Sequence, residues 1–121
     1  MKATVIYPQD TAFQIELPPD KQMLIKETLD YVYQETQNGI AEIIQHEAET
    51  ERLNRHGARL RSSMTGDIYI VNERYYMVDT VGFVEVSEIA AIKIQRVTIE
   101  NRAMGFEWLQ RQVTYLTGKP I

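Results

Sequence analysis

Polar and apolar positions change period along this chain, and the changes divide it into elements. Phe13, Ile15 and Leu17 alternate with Gln14 and Glu16, the pattern of a half-buried strand. Ala3–Tyr7 precedes it as a second strand candidate, and the turn-forming Gln9-Asp10-Thr11 between them predicts a hairpin. Pro18-Pro19 ends it, because proline has no amide hydrogen for a ladder. Leu24, Thr28, Tyr31, Val32 and Glu35 then recur at helical spacing, which predicts a helix over 21–37 with Asp20 as N-cap and Asn38-Gly39 as its stop. Ile40, Ile43, Ile44 and Ala48 predict a second helix over 40–55.

From Arg59 the period returns to two. Ile68-Tyr69-Ile70-Val71, Tyr75-Tyr76-Met77-Val78 and Phe83-Val84-Glu85-Val86 predict an antiparallel β-meander, with a turn at Asn72-Glu73-Arg74 and a bend at Thr80-Val81-Gly82. Residues 89–99 fit both a strand and a helix. The β-branched Ile92, Ile94, Val97 and Ile99 favour a strand over 91–99, since such side chains lose rotamer freedom in helices. Met104, Trp108, Leu109, Val113 and Leu116 predict a final helix over 101–117, with Asn101 as its cap and Gly118 with Pro120 as its stop. The expected fold is α+β in one domain, 1–121. Its parts are a hairpin plus helices over 3–57, a meander over 59–99 and a C-terminal helix, the helices lying on one side of the sheet.

Composition narrows the function. The 121 residues are 44% hydrophobic and 25% charged, as in globular proteins. No cysteine is present, which removes disulfides, thiolate nucleophiles and Cys-ligated metals. No apolar run approaches the roughly 20 residues of a membrane span, and no signal-peptide core opens the chain, so a cytoplasmic protein without membrane contact is expected. The net charge of −4 excludes a uniformly basic nucleic-acid coat. It is unevenly spread: residues 1–51 carry three basic and ten acidic side chains, and residues 52–121 carry ten basic and seven acidic.

Candidate chemistry is sparse. His46-Glu47 would need a second histidine at position 50 for a His-Glu-x-x-His zinc site, and that residue is Thr50. Ser62, Ser63, Thr65 and Asp67 lack the Gly-x-Ser-x-Gly elbow of a hydrolase and suit a turn, where hydroxyls and carboxylates satisfy backbone groups. No phosphate-cradling glycine motif occurs. No catalytic residue, metal or cofactor is expected.

Two surfaces remain for binding. Arg59 and Arg61 are phosphate candidates, whereas Arg52 and Arg55 balance nearby glutamates at helical spacing. Alternation places Tyr75 and Tyr76 on opposite faces and leaves one exposed; with Arg96 these residues form a basic and aromatic set able to hold nucleic acid or a nucleotide signal. Asp30, Glu35, Glu42, Glu47, Glu49 and Glu51 form the acidic counterpart, suited to a protein partner.

The run Arg61-Ser62-Ser63-Met64-Thr65-Gly66-Asp67-Ile68, followed by Tyr75-Tyr76-Met77-Val78-Asp79 and Gly82-Phe83-Val84-Glu85-Val86, resembles the YodL-like family and related small proteins. Residues 29–38 are similar to the helix that precedes this pattern. The match covers about one third of the chain and has no counterpart for residues 88–121. Members of that family resemble accessory proteins of phages, plasmids and integrative elements. The resemblance therefore implies a mobile-element setting and no particular chemistry. The leading expectation is a non-enzymatic accessory protein that binds a host protein, as inhibitors of CRISPR and other defence systems do. The alternative is the nucleic-acid or nucleotide module. Apolar residues of 92–99 and of the last helix exceed what a three-stranded sheet covers, which predicts a homodimer.

Overall fold

The computed structural model describes residues 2–18, 24–37 and 62–117, with side chains of the last helix as far as residue 112. In chain order these form β1 (Lys2–Tyr7), β2 (Thr11–Glu16), α1 (Ile25–Glu35), β3 (Ile68–Val71), β4 (Arg74–Val78), β5 (Phe83–Val86), α2 (Glu88–Gln95), α3 (Ile99–Arg102) and α4 (Phe106–Thr117). The first helix starts later than expected: α1 begins at Ile25, and Leu24, in extended backbone, holds its N-cap position in place of Asp20. The Asn38-Gly39 stop, the helix over 40–55 and the stop at Gly118 lie outside the described residues.

The fold is α+β, as the pattern predicts, with the meander intact. The hairpin joins it: the five strands run in the order β2-β1-β3-β4-β5, each antiparallel to its neighbours. At the β3–β4 turn Asn72 and Glu73 both take positive φ, 51° and 64°, the backbone twist that a two-residue hairpin favours. One row across the sheet reads Phe13, Val5, Tyr69, Tyr76; the next, on the opposite face, reads Ile6, Ile68, Met77, Val84.

Helices cover both faces, which corrects the one-sided arrangement. Leu29 and Val32 of α1 bury the face of Val5, Tyr69 and Tyr76. Ala90, Ala91 and Ile94 of α2 and Leu109 of α4 bury the face of Ile68, Met77 and Val86. The apolar run Ile68-Tyr69-Ile70-Val71 needs both layers: Ile68 is buried on one side, Tyr69 and Val71 on the other, and only Ile70 keeps some exposure.

The expected strand over 91–99 is a helix instead. Ser87 caps α2 by accepting a hydrogen bond from the Ala90 amide at 3.0 Å, Glu88 sits in the first turn and Lys93 in the last. Those terminal charges suit the helix dipole. Ala90 and Ala91, almost fully buried, let the helix axis approach the sheet. A cap is worth about 1 kcal/mol, against a few tenths for each β-branched residue, so the ends outweigh the interior. The final helix is also two: α3 ends at Arg102 and α4 begins at Phe106, which puts Asn101 inside α3 rather than at a cap.

Hydroxyl groups tie α1 to the sheet. Tyr69 lies within hydrogen-bond reach of Thr36, oxygen to oxygen 3.4 Å, and also bonds Ser63; Ser63 in turn meets the Tyr7 hydroxyl at 3.3 Å. Burial, as the largest cause, pushes the Tyr69 phenol above its ordinary value of 10.0. A tyrosine whose folded pKa is raised stabilises the fold fully below its unfolded pKa and progressively less as pH rises beyond it. Stability should therefore decline above pH 10, and Tyr69→Phe should flatten that decline while costing about 1 kcal/mol at neutral pH. Urea denaturation at pH 7 and above pH 10 reads both; an unchanged slope in Tyr69→Phe contradicts the assignment.

Candidate functional site

Asp30 and Tyr33, one turn apart on α1, face the end of β4 and the turn into β5. Between them lies a cleft of about 280 Å³, lined also by Thr65, Asp79, Thr80 and Phe83. The turn is closed by the Asp79 amide donating to the Gly82 carbonyl at 2.9 Å, and Gly82 takes a φ of +70° that few side chains tolerate. The Tyr33 and Phe83 rings meet edge to face, centroids 6.2 Å apart at 75°, and Phe83 leans on Tyr69 at 5.9 Å. Such ring pairs add to the stabilisation from area alone and fix the aromatic wall.

Asp79 organises the cleft. Its Oδ1 accepts from the Thr80 amide at 2.8 Å and from the Phe106 amide at 3.1 Å, so it caps α4 from 27 residues away. Gly105, immediately before that helix, has φ +98°, and a Cβ there would lie 3.0 Å from Asp79 Oδ1 and from the Thr80 methyl. The close approach needs a glycine. The Thr65 hydroxyl donates to the Asp79 carbonyl at 3.2 Å. Removing the cap by Asp79→Ala should cost about 1–2 kcal/mol, and Asp79→Asn, which keeps an acceptor, less than half of that. Equal losses in chemical denaturation would deny the capping role.

The turn before β3 behaves as its sequence predicts. Asp67 is fully buried and its Oδ2 accepts the Met64 amide at 2.8 Å, while the Gly66 amide donates to the Val78 carbonyl at 2.8 Å. These groups serve the backbone.

The residues singled out from the sequence are dispersed. Arg59, Arg61, Glu42, Glu47, Glu49 and Glu51 lie outside the described residues. Asp30 is exposed and meets Lys26 at 3.6 Å, a solvated pair. Glu35, half-buried, faces Tyr31, whose phenol is raised first by burial and then by that carboxylate. Tyr75 and Tyr76 do point to opposite faces, but Tyr76 is only 6% exposed and packs under α1, and Tyr75 is half-buried beside α2. The expected open ring is therefore not there: helices cover the sheet from both sides. Arg96 is exposed at the end of α2, on the opposite layer from Tyr76.

The cleft and Asp79 escaped sequence reading because their parts are far apart in the chain. One signal was present: Gly105 opens α4 with no capping side chain of its own, which calls for a distant acceptor. Among the described residues no three His, Asp or Glu side chains gather as metal ligands do. No helix among them is long and apolar enough to cross a membrane.

Several large apolar side chains also stay exposed among the described residues. Val81 at the tip of the β4–β5 turn is 90% exposed and Ile89 on α2 is 66% exposed, with Ile92 one turn further along. Five strands and the buried Ile94 and Leu109 absorb much of the apolar excess behind the homodimer expectation. Comparison with family models, curated proteins and solved structures returned no match.

Proposed function

We propose that this chain works by binding and not by catalysis, as an accessory protein of a mobile element whose target is a protein of the host, in the manner of inhibitors of CRISPR and other defence systems. The observation that carries this reading is how the side chains are used. The carboxylates of Asp67 and Asp79 accept backbone amides, whereas Val81, Ile89 and Ile92 stand in solvent. Large exposed apolar residues are where partner proteins gain most from desolvation. The resemblance at residues 29–38 and 61–86 supplies the mobile-element setting.

The test has two parts. Immobilised protein should retain one identifiable host protein, and the double variant Val81→Asp with Ile89→Asp should release it. Expression in a host with active CRISPR immunity should raise plaquing by a targeted phage. Retention of nothing specific, or equal retention by the double variant, removes the binding reading; unchanged plaquing removes the CRISPR target. Self-association belongs to the same reading, and light scattering at twice the 14.1 kDa chain mass is its expected result.

A further inference from the structure

We propose that the cleft between α1 and the β4–β5 turn receives a guanidinium group, presented by an arginine side chain of the partner polypeptide. This rests on the protein-binding reading above and names the chemistry of one contact.

Charge comes first. Among the described residues, the carboxylates lining the cleft are Asp30 and Asp79, and none of the side chains around it is basic. Asp79 takes its two amide bonds on Oδ1, and among the described residues Oδ2 takes none. Among the described residues Asp30 pairs with the exposed Lys26, at 3.6 Å with both side chains more than half exposed, a pairing weak enough for an incoming cation to displace. A cation is the favoured occupant.

Shape selects among cations. Tyr33 and Phe83 form one wall, held by their mutual contact and by Tyr69 behind. A cation over such rings gains from their quadrupole, and arginine uses this more often than lysine. Its planar fork also matches a carboxylate through two parallel hydrogen bonds, which a point-like ammonium cannot do. The Thr65 oxygen, already a donor to the Asp79 carbonyl, keeps lone pairs for a further N–H. The volume of about 280 Å³ falls just below the ~300 Å³ at which small-molecule sites begin and suits the end of one long side chain.

The probe is N-acetyl-arginine methylamide, titrated into the full ¹⁵N-labelled chain and followed by amide shifts. Saturable shifts are expected at Tyr33, Gly82 and Phe83, with affinity about tenfold weaker in Asp30→Asn and severalfold weaker in Tyr33→Leu, both exposed positions. The neutral citrulline analogue should leave those amides unmoved. Absence of saturable shifts, equal shifts with citrulline, or equal affinity for the lysine analogue overturns the proposal. Tighter binding of free arginine than of the blocked form assigns the cleft to a free amino acid and overturns the partner side chain. The two readings fail separately. Shifts without capture of a host protein remove the protein target and keep the site; capture that Asp30→Asn leaves intact, with no shifts, does the reverse.

Discussion

Gly66→Ala is expected to cost about 3 kcal/mol, against about 1 kcal/mol for Gly82→Ala, although both glycines have positive φ. The difference is what lies opposite. A Cβ on Gly66, at φ +98°, would overlap the Cβ of Arg102 and sit 3.3 Å from its Cα, so α3 would have to move. A Cβ on Gly82, at φ +70°, meets nothing within 4 Å and adds only backbone strain. Urea midpoints of the two variants separate steric overlap from dihedral strain. Equal losses would mean that the Gly66–Arg102 approach does not hold α3 in place.

Arg102→Met is expected to destabilise by about 3–5 kcal/mol, the range for removing one member of a buried set of charges. Arg102 is 2% exposed, an unusual position for a guanidinium, and one of its terminal nitrogens donates to the Val97 carbonyl. Asp67, with its carboxylate fully buried, stands next to Gly66 at the same contact between the β3 turn and α3. Buried charges persist in proteins when opposite charges and hydrogen bonds compensate them. The pair Asp67→Asn and Arg102→Met should therefore lose less than the sum of the single losses, by about 1 kcal/mol or more. Methionine retains most of the arginine stem, so the loss reports charge and hydrogen bonding more than volume. Strict additivity in denaturant unfolding would place the two charges in separate environments.

The meander was legible because its signals are local. Period-two alternation and the turns at Asn72-Glu73 and Gly82 lie within a few residues of the strands they join. The layer on the far side of the sheet was less visible, though Ile68-Tyr69-Ile70-Val71 carried the information: a strand apolar at every position is covered twice. Residues 91–99 read as a strand because their β-branched content is conspicuous, whereas α2 is set by less conspicuous features, the Ser87 cap and Glu88 at its start and the buried Ala90-Ala91 pair against the sheet. The cleft was not legible. Its walls come from residue 30 in one helix, residue 65 in a turn and residue 83 in an edge strand, and no spacing rule links them. Nor does any rule link Asp79 to the amide of Phe106, a bond the three-dimensional fold alone creates.

The ladder between β1 and β3, with Val5 opposite Tyr69, is the one that unites the two halves of the sheet. Each half can zip from its own turn within microseconds, since its partners are close along the chain. The uniting ladder must instead bring together segments more than sixty positions apart, and the entropy of that ring closure comes before any of its hydrogen bonds form. Refolding speed should accordingly track the stability of this seam, so that Val5→Ala slows folding while replacements at the tip of either hairpin chiefly hasten unfolding.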